Sequence, residues 1–286
     1  MTIPAIAAFG TLHGLGTAAR RALAGMLLLA AAACPALAQG DSAAAARTAT
    51  DGLQVEVAPY FWLLNMNGRT QVGPSSSDIS ASFFDTLRGT DRLLGFMGHA
   101  EIGRDNWRII VDAVYTHAVV KNLGVGPATG RFQSDAGIFE IGGALTLARF
   151  DMFNALAMRS NPVVIEGLAG ARISVISQQL NFNAGPSASL NQTWAEPFIG
   201  ARVRVDLSER WSMRLRGDIG GFGLGSDFAW QTIGLASYRF TMMGRPAEAV
   251  FGYRALGQDY HSGSGLRRFE WNMVQHGPVL GMNMRF

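Results

Sequence analysis

The strongest constraint in this chain is a rhythm of two. Over residues 210–223, Trp211, Met213, Leu215 and Ile219 fall on one side of an extended strand, and Ser212, Arg214, Arg216 and Asp218 on the other. The same alternation sets Ala201, Val203 and Val205 against Gly200, Arg202 and Arg204. It sets Trp107, Ile109, Val111, Ala113 and Tyr115 against Arg108, Asp112 and Thr116. It also sets Ile165, Ala169, Ala171 and Ile173 against Glu166, Gly170, Arg172 and Ser174. Period-two patterning reads as β-strand, and a chain built almost wholly of it is all-β.

Composition decides how the strands are used. The chain is 48% apolar and only 16% charged, against roughly 25% charge in an average soluble protein. Past residue 38, no run approaches the roughly 18 unbroken apolar residues of a membrane helix. The apolar content is therefore carried by alternation. A β-sandwich would produce the same alternation with its apolar face buried. Its strands, however, run to about 5–6 residues, and here ten segments are longer: 53–65, 93–104, 107–120, 130–148, 162–181, 190–207, 210–223, 227–242, 247–261 and 267–286. The expected fold is a transmembrane antiparallel β-barrel of about ten strands, twelve being the second count. A barrel in lipid needs apolar side chains outside and polar ones inside.

The connections agree in part. Asp105-Asn106, Ser208-Glu209 and Gly244-Arg245-Pro246 are tight turns after even-numbered strands, as periplasmic turns are when both termini are periplasmic. The longest connection, 67–92, follows the first strand, with room for a short helix or an extra hairpin around 82–94. The connection 149–161 reads as longer than a turn, and the one near 221–226 as short. Trp107, Trp211, Phe240 and Phe286 sit at periplasmic strand ends on the lipid side, where an aromatic girdle belongs.

The amino terminus reads as an export signal: Arg20 and Arg21, an apolar run over 22–33, then Cys34-Pro35-Ala36-Leu37-Ala38. Cleavage after Ala38 leaves Gln39 first, and a lipidated Cys34 is the alternative. The expected layout is a signal peptide at 1–38, a periplasmic linker at 39–52 and an outer-membrane barrel at 53–286. Losing Arg20 and Arg21 lowers the net charge from +3 to +1, so charge gives no argument for nucleic acid. Cys34 is the only cysteine, which leaves the exported chain without a disulfide or a Cys-containing zinc site.

At the other end, Leu280, Met282, Met284 and Phe286 alternate with Gly281, Asn283 and Arg285. A closing strand that ends in Phe resembles the assembly signal of bacterial outer-membrane proteins. That implies a role for Phe286 in assembly, with the barrel-assembly machinery and outer-membrane lipid as partners. The segment Gly217-Asp218-Ile219-Gly220-Gly221-Phe222-Gly223-Leu224-Gly225-Ser226-Asp227-Phe228-Ala229-Trp230-Gln231 resembles the hallmark of a group of uncharacterised, porin-like proteobacterial outer-membrane barrels. Pro59-Tyr60-Phe61-Trp62, Met97-Gly98-His99-Ala100-Glu101 and His276-Gly277-Pro278 resemble the same group. The resemblance implies a fold and a Gram-negative outer-membrane location, and brings no activity to any residue.

Other motifs support bland readings. Gly221-x-Gly223-x-Gly225 lacks the Lys-Ser or Lys-Thr and the helix of a nucleotide loop; it reads as a loop that bends sharply or folds back on the wall. His99, His117, His261 and His276 are scattered, with no pair at ligand spacing, so no metal or cofactor is expected. Asp259-Tyr260-His261 and His261-Ser262 are the nearest approach to the rim chemistry of an outer-membrane hydrolase, a third function class; the expectation is no enzyme.

The inward charges carry the functional reading. Glu56, Glu101, Asp112, Glu140 and Glu166 come from the first five strands. Arg172, Arg202, Arg204, Arg214, Arg216, Arg239 and Arg254 come from the fifth to the ninth. Arg108, Asp218 and Glu248 break the division. In a ring, these sets form an acidic wall facing a basic one. A ten-strand barrel is narrow enough for side chains to fill. Two readings follow: a porin-like narrow channel for small solutes with a divided lumen, or a closed structural or surface-interaction barrel whose charges bridge across.

Overall fold

A computed structural model describes residues 52–285 except 126–127, 155–158, 184–186 and 243. The expected signal peptide, nearly all of the linker and Phe286 lie outside the described residues. The strands are β1 (Gln54–Trp62), β2 (Asn65–Val72), β3 (Ser75–Ala81), β4 (Arg92–Arg104), β5 (Trp107–Val125), β6 (Ala128–Asn154), β7 (Arg159–Phe182), β8 (Ala188–Asp206), β9 (Trp211–Leu224), β10 (Ser226–Met242), β11 (Arg245–Ser262) and β12 (Phe269–Arg285). A helix α1 (Phe83–Gly89) separates β3 from β4.

All twelve strands belong to one antiparallel sheet, and the β1–β12 ladder closes it. The closed circuit runs β1, β4 and on through β12, so ten strands make the ring. The other two hang on it: β12 pairs with β1 over its lower half and with β2 over its upper half, and β3 continues outward from β2. Both expected strand counts thus describe part of the same sheet. The first strand ends at Trp62, earlier than the sequence pattern suggests, although Leu63 still donates its N–H to the Pro278 carbonyl at 2.9 Å and β2 resumes the pairing with β12 in the same register. The 149–161 stretch is strand up to Asn154 and again from Arg159. It is therefore not a long loop; its alternation was hidden by a register shift between Thr146 and Ala148.

Of the short helix or extra hairpin expected around 82–94, the helix is there; the β2–β3 hairpin lies before that stretch. Ser82 caps α1: its hydroxyl accepts from the Asp85 N–H at 3.1 Å, and the Asp85 carboxylate accepts from the Ser82 N–H at 3.2 Å. This stretch also leaves the wall incomplete. β4 meets β1 only from Gly98 to Gly103, so its segment 92–97 has no ladder partner on that side.

Side-chain polarity divides the barrel along its axis. At the lower end, where β1 begins and the β4–β5 turn lies, the outer face is apolar: Ile109, Ile141, Leu145, Ile199, Leu215 and Leu280 are exposed. Trp107, Trp211 and Phe240 form its lower border on that face, and Trp211 meets Tyr238 and Phe251 edge-on at 5.0 and 5.9 Å. Toward the upper end the outer face turns polar. On β7, Ala171, Ile173 and Val175 give way to Ser177, Gln179 and Asn181, and on β8 Ala195 gives way to Thr193 and Asn191. The interior does the opposite, charged below and apolar above. The expected polar-inside rule holds only for the lower part; above it the barrel is built like a soluble one, since water outside requires an apolar core inside.

Candidate functional site

The inward positions of nine ring strands bring the predicted charges together in the lower lumen. Arg172 of β7 is fully buried and holds three carboxylates. It donates to Glu140 of β6 at 2.9 Å, Glu196 of β8 at 2.9 Å and Asp218 of β9 at 2.7 Å. Arg202 of β8 crosses the lumen to Glu101 of β4, while its Nε donates to Glu166 of β7 at 2.7 Å. Arg254 of β11 crosses in the other direction. It donates to Asp112 of β5 at 2.8 Å, to Glu140 at 3.1 Å and to the Tyr60 hydroxyl at 2.9 Å, and its Nε donates to Gln231 at 2.8 Å. Arg216 of β9 lies 2.9 Å from Glu140 and donates to Asp218 at 2.8 Å.

The acidic and basic walls therefore meet directly. Glu101 and Glu140 do face the Arg202–Arg216 group, and Arg214 reaches Glu56 and Glu101 at 3.6 Å. Asp112 instead belongs to Arg254. Arg204 turns to Glu166 on the neighbouring strand at 2.9 Å, because Glu166 stands opposite Arg202 on β7 and reaches both guanidiniums. Arg239 sits lower and pairs with Asp206 and with Glu248, its neighbour across the β10–β11 ladder. Such a network adds little net stability, since desolvation offsets Coulomb attraction; breaking it by removing one member is costly.

Aromatic rings bracket this layer. The Arg254 guanidinium lies 4.8 Å over the Trp62 ring, and the Phe198 ring lies 5.4 and 5.1 Å from the guanidiniums of Arg172 and Arg216. Gly142 and Gly170 make room for Phe198, whose ring occupies the space a Cβ would take on either strand. Beside the charges is a cavity of about 80 Å³, room for a few waters. Arg214, Arg216, His99 and Asp112 line one side of it, and Ile233, Leu235 and Val250 the other.

Above the charges the lumen is filled with apolar side chains. Trp62, Val114, Ile138, Leu256 and Val279 come from five strands around the ring, and Met97 and Leu235 pack against them. Higher still are Ile176, Leu190, Trp194, Tyr260, Phe269, Trp271 and Met273, with Met66, Val72 and Ile79 of the β2–β3 hairpin packed on them. Trp194 and Tyr260 stack at 4.3 Å. They meet because the β9–β10 hairpin is short. Gly221, Phe222, Gly223 and Gly225 all have positive φ, Gly225 lies against the Ala195 carbonyl, and the Ser226 hydroxyl donates to Glu196. The glycine-rich segment folds back on the wall, as its composition suggests.

Sequence reasoning missed Glu196, Gln231, Gln258, Tyr60 and Trp62. Strand parity was the available signal: Glu196 shares a face with Arg202 and Arg204, and Tyr60 and Trp62 share one with Glu56. The rim motif separates into unrelated contacts. Tyr260 points inward to Trp194, the His261 ring pairs with Asp227 at 2.5 Å, and the Ser262 hydroxyl donates to Gln192 at 3.3 Å. Of the other histidines, His99 lies between Glu101 and Asp112 at 3.0 and 3.2 Å, His117 beside Asp135, and His276 beside Asn67 and Tyr253. Among the described residues no group of three potential ligands is placed to hold a metal.

No protein-family profile matches the chain, and no curated protein does. Several solved structures are similar in shape. Ail, the attachment invasion locus protein of Yersinia pestis, in complex with the heparin analogue sucrose octasulfate, aligns over 83% of this chain and 100% of its own at 11% identity, with a TM-score of 0.36. Neisserial surface protein A aligns over 82% and 97% at 12% identity and 0.27. A Pseudomonas aeruginosa FadL homologue aligns over 82% and 89% at 10% identity and 0.26. At this distance nothing that these proteins bind or transport carries over to this chain.

Proposed function

We propose that this chain is an outer-membrane β-barrel whose lumen is closed to free diffusion, acting as a structural or surface-interaction barrel rather than an open pore. The observation that carries this reading is the bridge from Arg254 to Asp112 and Glu140 across the lumen. It lies directly beneath an apolar layer from five strands. A solute would have to break buried ion pairs and then enter a water-free segment, and each is a large barrier. The membrane reading is supported by the band of exposed Ile, Leu and Phe between aromatic and polar borders, which in water would be an interaction surface far larger than a monomer exposes. A signal peptide cleaved after Ala38 directs export, and insertion uses the assembly machinery with Phe286 as its signal.

Liposome swelling with solutes of graded size tests the closure. Vesicles containing the refolded barrel should swell no faster than protein-free ones. Swelling that slows with increasing solute size would favour the porin-like channel. Mass spectrometry of the exported protein tests the processing: it should begin at Gln39, and a lipidated Cys34 would contradict that.

A further inference from the structure

Outside the lumen, four unpaired cations of the upper end lie on one side, while a fifth, Arg267, stands apart in the β11–β12 connection. Arg92 opens β4, Lys121 lies near the top of β5, Arg131 lies on β6, and Arg88 is in the last turn of α1. The ladders set the three strand residues side by side. Arg92 is opposite Val119, two residues before Lys121, and Phe132 opposite Val120 brings Arg131 next to Lys121. All four are exposed, and among the described residues none has a carboxylate at ion-pair distance. Elsewhere on this end, Arg69 is paired with Asp78 and Arg268 with Glu270. Three acids lie near the row and are engaged: Asp85, three residues before Arg88, caps α1 with Ser82. Asp91 accepts the Lys121 backbone N–H at 2.6 Å, and Asp135 accepts the Tyr115 hydroxyl at 2.5 Å and lies 2.9 Å from the His117 ring.

Height fixes what this row meets. Leu94, His117, Asp135 and Ser177 are ladder partners in turn, and they mark the level where the outer face changes from apolar to polar. Arg92 is two residues above that line and Lys121 and Arg131 about four, which is roughly 7–14 Å along a strand. That is headgroup depth. Directly below, on the same side of β4, Leu94 and Phe96 are half exposed. The cations form a shallow row over an apolar surface instead of converging in a pocket, a layout suited to an amphiphile rather than a free anion.

We infer that the outer face of β4–β6 binds the phosphorylated headgroup of an outer-leaflet glycolipid through Arg88, Arg92, Lys121 and Arg131, with acyl chains against Leu94 and Phe96. The inference rests on the membrane reading above. Lys121 is the only lysine in the chain, so one substitution removes every lysine ammonium.

The test uses the barrel in phosphatidylcholine nanodiscs doped with a bisphosphorylated multi-acyl disaccharide lipid or its dephosphorylated form, with bound lipid counted by native mass spectrometry. The wild type should prefer the phosphorylated lipid by tenfold or more. Each of R92Q, K121Q and R131Q should weaken the preference about fivefold, and the triple variant should abolish it. Substituting the paired cations, R69Q and R268Q, should change nothing. Equal binding of both lipids, a triple variant that keeps the preference, or full displacement by millimolar inorganic phosphate would each overturn the inference. A barrel that inserts with normal heat-modifiable mobility but shows no preference defeats this inference alone. A chain that fails to insert defeats the membrane reading along with it.

Discussion

Arg254 of β11 donates to Asp112 of β5 at 2.8 Å, joining opposite sides of the ring. The same guanidinium also reaches Glu140 and Tyr60. A planar fork with five donors can satisfy partners on three strands at once; a lysine ammonium could not. The charged layer of the lumen thus rests on arginines, whose geometry ties the walls together.

Arg254→Gln should be among the most damaging interior substitutions. It leaves Asp112 and Glu140 buried with one fewer cation, at a cost of about 3–5 kcal/mol. Arg239→Gln, at the wetter lower end, should cost far less, because water can replace the lost partner. Urea unfolding in lipid vesicles would compare them, and equal stabilities would show that Arg254 does not hold the walls together.

Leu215 is exposed on the outer face between the inward Arg214 and Arg216. Leu215→Arg puts a charge into lipid and should destabilise by about 2–4 kcal/mol near the bilayer midplane. The same unfolding assay reads it. An unchanged stability would mean that this part of β9 does not face hydrocarbon.

Gly170 and Gly217 make a matched pair. A Cβ on Gly170 would run into the Ile141 carbonyl oxygen and come 2.7 Å from the Phe198 ring, whereas a Cβ on Gly217 meets nothing within 4 Å. Gly170→Ala should destabilise by about 1–3 kcal/mol through overpacking, and Gly217→Ala should be near neutral. Thermal shifts that ranked them the other way would contradict the close approach of the β6 backbone and Phe198 to Gly170.

Alternation made the barrel legible, and parity made most of the lumen legible with it. Leu215 between Arg214 and Arg216 is unambiguous in sequence, because lipid and lumen demand opposite chemistry. What the pattern could not convey was height. Ile176 and Leu180 on β7 have the same parity as Glu166 and Arg172, yet they belong to an apolar core and not to a polar lumen. On the proposed membrane reading, the inversion falls where the outer surface leaves lipid, which no single strand announces. The β2–β3 hairpin was obscured for a related reason. Half of β12 pairs with β2, so a segment resembling a loop is wall. Partner choice within the network was also illegible, because arginine reach is longer than one strand spacing.

Planar-bilayer recording tests the closed lumen most directly, because the charged layer and the apolar layer act in series. The wild type should show no unitary conductance steps. Arg214→Gln with Arg216→Gln should stay silent, since the apolar layer remains. Adding Trp62→Ala and Leu256→Ala to that pair should leave it silent as well, because the Arg254 bridge to Asp112 and Glu140 and the upper apolar layer of Trp194, Tyr260, Phe269, Trp271 and Met273 stay in place. Steady ohmic steps from the wild-type barrel would contradict the account.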